Sequence, residues 1–125
     1  MNSVLIDTSV WIDHFRNHNN ALDRLLNNDL AHTHPMIIGE IACGTPPSPR
    51  LRTLRKLGLL PMIQQATLRE TMELIERESL YGLGCGLVDM VLLTSTLLTP
   101  GANLWTRDQR LAKLAHRFGV AHQFP

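Results

Sequence analysis

The chain predicts an α/β fold with a parallel sheet covered by helices on both faces, and two observations predict it. The runs VLI at 4–6 and LW at 104–105 are apolar without alternation, as strands buried on both faces are. Helical periodicity fills the intervals, and short strands alternating with helices are joined by right-handed crossovers into a parallel sheet.

Taken in order, residues 3–6 read as the first strand and 9–17 as a helix. Leu22, Leu25 and Leu26 continue helical spacing up to the Asn-Asn-Asp turn at 27–29, and 30–33 reads as a second strand. Pro35 suits the first position of a helix carrying Glu40 and ending at Gly44, after which TPPSP at 45–49 is a loop. RLRTLRKLG at 50–58 places Leu51, Leu54 and Leu57 every third residue between basic side chains, suggesting one buried stripe. In LLPMI at 59–63, Pro61 argues for an edge or a loop rather than a central strand.

TLRETMELIERESL is strongly amphipathic and YGLGCG breaks it. The next helix, 86–98, is apolar almost all round, so it belongs at the centre of the domain, with Asp89 as its lone charge. After a Thr-Pro-Gly turn, ANLW and then Thr106-Arg107-Asp108 lead into a last helix, repeating the opening grammar of strand, hydroxyl, Asp and helix.

One domain spanning 1–125 is expected from 125 residues. A composition of 44% hydrophobic and 18% charged residues excludes a disordered chain, and 12 basic against 11 acidic residues gives no global signal for nucleic acid. Cys43 and Cys85 have no metal-site or disulfide-framework spacing and suit small buried thiols in a reducing compartment. The N-terminus lacks the pattern of a secretory signal, and LVDMVLLTSTLL is too short for a membrane span and carries Asp89, so a cytoplasmic protein without membrane attachment is expected.

Most acidic residues fall on solvated helix faces or polar turns. Asp7, Glu40, Asp89 and Asp108 do not. Asp7 and Asp108 stand at carboxyl ends of strands, where open α/β sheets place their functional crevice. For Asp7 the plain alternative is a helix cap. Glu40 and Asp89 interrupt apolar runs, with no basic side chain at i±3 or i±4, and burying an unpaired carboxylate costs several kcal/mol. Two such charges ~4 Å apart repel by roughly 4 kcal/mol at an effective dielectric of 20. A divalent cation resolves the conflict, and oxygen donors favour Mg²⁺ or Mn²⁺ over zinc.

The segments IDTSVWID, IIGEIACG, GLVDMVLL and LWTRDQRL, in this order, resemble the PIN-domain ribonucleases, in particular VapC toxins of toxin-antitoxin pairs, over essentially the whole chain. The resemblance implies a three-layer α/β/α sandwich with a short central parallel sheet and an acidic site of Asp7, Glu40, Asp89 and Asp108, braced by Ser9 and Thr106. It also implies Mg²⁺- or Mn²⁺-dependent cleavage of tRNA, rRNA or mRNA, a homodimer, and silencing by a cognate VapB-type antitoxin. The Pro-rich stretch 45–63 departs from the continuous helix usual in that family and bears on loop shape and substrate choice.

On this reading Asp7 and Asp89 are direct metal ligands, Glu40 positions water or completes the metal shell, and Asp108 acts through water or a second ion. Arg16 and Arg107 are placed to meet phosphate, beside a basic strip of Arg50, Arg52, Arg55 and Lys56. Asp13 and Arg16, three apart, suit a simple helix pair. His14 and His18 have i, i+4 metal spacing without the Glu of a zincin helix, and GLGCG lacks the Lys of a phosphate loop. Trp11 and Trp105 suit core packing better than base stacking. Two rivals remain: a phospho-acceptor receiver domain, which requires a Lys where this chain has Thr106-Arg107-Asp108, and a non-catalytic RNA-binding or scaffold module with an inert acidic pocket.

Overall fold

Three parallel strands order the molecule, whose computed structural model describes residues 2–124. The central strand β1 (Ser3–Ile6) is flanked by β2 (Ala31–His32) on one side and β3 (Ala102–Trp105) on the other. Val4, Leu5 and Ile6 are all buried, as expected of a strand with helices on both faces. The register pairs Leu5 with His32 and Ile6 with Trp105.

The helices are α1 (Thr8–Arg16), α2 (Asn20–Asn27), α3 (Pro35–Cys43), α4 (Arg50–Gly58), α5 (Leu68–Arg77), α6 (Leu87–Leu98) and α7 (Gln109–Arg117). α3 packs against α1 and α4, whereas α6 packs against β3, α5 and α7. Helices and a short parallel sheet thus form the expected α/β sandwich.

α6 buries every residue from Met90 to Thr96. It tolerates this because its hydroxyls find backbone carbonyls one turn back, Thr94 Oγ1 donating to Met90 O at 2.7 Å and Thr96 Oγ1 to Leu92 O at 2.8 Å. Ser95 Oγ accepts the Ala66 N–H at 2.9 Å and Thr99 Oγ1 the Gln64 N–H at 3.1 Å, so the extended chain before α5 is fastened to this helix. Thr67 and Glu70 then close a reciprocal capping box at the start of α5.

The ambiguous segment 59–63 is an edge. Thr33 N–H donates to Pro61 O and Ile63 N–H to Thr33 O, both at 2.9 Å, so Pro61 contributes only the carbonyl it has. α1 starts at Thr8, one residue earlier than the periodicity indicates. The expectation of buried thiols fails for Cys43, which is exposed at the end of α3, and Cys85 is half-buried. Trp11 and Trp105 are buried, as core packing requires. No helix of the described residues is long and apolar enough to cross a membrane.

Leu92→Ala, which empties a fully buried site, is expected to lower unfolding free energy by about 2–5 kcal/mol in urea melts. Leu59→Ala, at a residue 85% exposed, should change it by no more than about 0.5 kcal/mol in the same measurement.

Candidate active site

The parallel ladder runs one step beyond β1: Asp7 N–H donates to Trp105 O at 3.0 Å. That step sets Asp7 beside Thr106. Asp7 occupies the N-cap position of α1, yet its side chain makes no capping bond. Its Oδ2 instead accepts from Ser9 Oγ at 2.6 Å and from Thr106 Oγ1 at 2.8 Å. Each hydroxyl is aimed by a backbone donor behind it, Arg107 N–H to Ser9 Oγ and Asp108 N–H to Thr106 Oγ1, both at 3.0 Å. One oxygen of a carboxylate only 6% exposed is thereby fixed, while Oδ1 has no donor among the described residues.

Asp108 does cap its helix. Its Oδ1 accepts from Arg110 N–H at 2.9 Å and Leu111 N–H at 3.1 Å at the start of α7. Asp89, in the first turn of α6, accepts weakly from Gly86 N–H at 3.3 Å and is half-buried. Glu40 differs from the expectation of a buried carboxylate: Ile37 and Ile41 face the core, Glu40 is exposed, and the apolar run around it marks the opposite side of α3. Its Oε1 accepts from Thr8 Oγ1 at 2.5 Å, which ties α3 to the residue following Asp7.

Asp89 feels the charge of the other three acids, although among the described residues no three of the four bring ligand oxygens within 4.8 Å of one another. The Asp89 carboxyl is pushed above its ordinary value chiefly by burial; the Gly86 hydrogen bond opposes this, and the charges of Asp7, Asp108 and Glu40, each a lesser effect, add to the rise. The Cys85 thiol is likewise raised by burial and by Asp89 and Asp108. Among the described residues no Lys or Arg forms an ion pair with any of the four; the ion pairs are Arg77 and Arg117 with Glu78, Arg107 with Asp13, and His18 with Asp23. An oxygen-only donor set with uncompensated negative charge fits a hard divalent cation such as Mg²⁺ or Mn²⁺.

The remaining candidates divide. Arg16 lines a cavity of about 510 Å³ together with Glu40, Ile12 and Phe15, a cavity that none of Asp7, Asp89 and Asp108 lines. Arg107 Nη1 lies 3.0 Å from Asp13 Oδ2, so Asp13 holds Arg107 and not Arg16. In the basic strip, Arg50 donates to Ala42 O at 2.6 Å and Gly44 O at 3.2 Å, closing the carboxyl end of α3. Gly82 and Gly84 have positive φ and make the turn into α6. Sequence reasoning passed over Thr8 and Asp13; the run of donors and acceptors in DTS and the repeated hydroxyl-Asp grammar were the available signals.

A PIN-domain family model matches residues 4–117. The chain is 42% identical over 118 residues, 94% of each chain, to Ribonuclease VapC32 of Mycobacterium tuberculosis strain CDC 1551 / Oshkosh and to that of strain ATCC 25618 / H37Rv.

A carboxyl raised on folding stabilises the fold below its unfolded value, near 3.8, and loses that contribution as pH rises through the raised value. In chelator, the wild-type melting temperature should therefore fall as pH rises through this window. Asp89→Asn should flatten that dependence and melt higher than wild type at pH 7.

Proposed function

The chain belongs to the PIN-domain family as a VapC-type ribonuclease, and from that premise we propose that it is an endoribonuclease toxin hydrolysing RNA phosphodiester bonds with Mg²⁺ or Mn²⁺ held by Asp7, Asp89, Glu40 and Asp108. The observation that carries this reading is the Asp7 carboxylate, only 6% exposed, held by the hydroxyls of Ser9 and Thr106 and paired with no basic side chain among the described residues.

When bound, the cation supplies positive charge for the scissile phosphate and acidity for the attacking water. Asp7, with Oδ2 locked by Ser9 and Thr106, keeps Oδ1 free of donors among the described residues, and Asp89 in the first turn of α6 supplies a second carboxylate. Glu40, anchored through Oε1 to Thr8, keeps Oε2 available to accept a proton from water. Asp108 spends Oδ1 on its cap and offers Oδ2. Arg16, exposed beside Glu40, contributes a guanidinium for a neighbouring phosphate, and Arg107 does so from its tether on Asp13.

The same proposal makes tRNA, rRNA or mRNA the substrate and the cytoplasm its place of action, with a homodimer as the working form and a VapB-type antitoxin as its silencer. A cleft of about 380 Å³ lined by Trp11, Phe15, Leu26, Leu57 and Leu60 supports helix-in-groove binding by such a partner.

Incubating the protein with total RNA and mapping the cut ends tests the reading. Cleavage should require Mg²⁺ or Mn²⁺, stop in EDTA, and fall more than about a hundredfold in Asp7→Asn and Asp89→Asn. Ser9→Ala and Thr106→Val, which free Asp7 without removing it, should cost about 10–100-fold. Undiminished cutting by Asp7→Asn would overturn the acidic site, and RNA binding with no metal-dependent cutting would replace the nuclease with the inert-pocket module.

A further inference from the structure

At the opposite end of α1 from Asp7, His14, His18 and Asp23 bring one ligand atom each within 4.8 Å of one another. The three come from the last turn of α1, the link to α2, and the first turn of α2. The sequence offered only an i, i+4 histidine pair; the reversal of the chain between the helices adds the carboxylate. The two imidazole rings lie 4.8 Å apart at 44°, and His18 Nε2 contacts Asp23 Oδ2 directly.

We propose that His14, His18 and Asp23 form a second metal site, for a borderline divalent cation of the zinc type, separate from the oxygen-only acidic centre. Two imidazoles and one carboxylate are zinc ligands, and a set of three leaves one coordination position for water or an external donor. The site is chemically distinct from the acidic centre, which has no nitrogen donor among its four acids, so the two select different ions. His14 Nδ1 now accepts the backbone N–H of Asn19 at 3.0 Å, which places the lone pair of the neutral ring at the mouth of α2. When that lone pair turns to a cation, a single N–H ahead of the helix passes to water. His14 also lines the apolar cleft with Trp11 and Phe15, so a cation here staples α1 to α2 and fixes one wall of that cleft.

The test starts from Asp89→Asn, which disables the acidic centre, in excess Mg²⁺ at pH 7.5. Zn²⁺ titrated by calorimetry should bind at one equivalent per chain, and Co²⁺ should give the visible absorption of a site with nitrogen ligands. Adding His18→Ala, at a side chain 64% exposed, should weaken Zn²⁺ binding at least tenfold and remove the Co²⁺ band while leaving the circular dichroism spectrum unchanged. Adding Asp23→Asn should weaken binding as well. The proposal fails if Asp89→Asn takes up no Zn²⁺, or if uptake is the same with and without His18, in which case the cluster is an ion pair only.

Discussion

The register of β1 against β3 is the constraint on which the site depends. Ile6 opposite Trp105, extended by the Asp7 N–H to Trp105 O bond, sets Asp7 level with Thr106 and brings Ser9 against the backbone of Arg107. Because strand side chains alternate, a slip of one residue would turn Asp7 away from the hydroxyl that fixes it. Val4, Leu5, Ile6 and Leu104 are buried, so the register is held by the packing of these particular side chains against the helices on each face and not by a polar side of the strand. Core packing far from the acids therefore determines their geometry.

Ionised Asp89 opposes folding at neutral pH. Burial and three neighbouring charges disfavour ionised Asp89, and no basic side chain among the described residues relieves them. The chain tolerates the conflict by spending hydrogen bonds on position instead of neutralisation: Ser9 and Thr106 on Asp7, Thr8 on Glu40, Gly86 on Asp89, and the α7 backbone on Asp108. A site whose charges are unbalanced by its own side chains is one with an energetic preference for an added cation.

Much of this was legible in the sequence. Apolar runs and caps located the strands and helices, and the nearly all-apolar run containing Asp89 identified the buried helix, although the amphipathic run 67–80 overshoots the end of α5 at Arg77 and the stripe expected on α4 buries Leu57 but leaves Leu51 exposed. What misled was reading burial from neighbours in sequence: IIGEIA looks apolar throughout, but a helix has an outer face, and Glu40 and Cys43 lie on it. Contacts between residues distant in the chain were beyond reach for the same reason. Asp13 pairs with Arg107 and Thr8 with Glu40 because the sheet folds those elements together, and no local spacing encodes that.

The cap made by Asp108 narrows what evolution can place at that position. Asn would keep the bonds to the first turn of α7 but forfeit the negative charge; Glu would keep the charge but carries it one methylene farther from the N–H groups it must reach. Aspartate alone meets both demands, so one short side chain starts the last helix while leaving its second oxygen and its charge outside the cap.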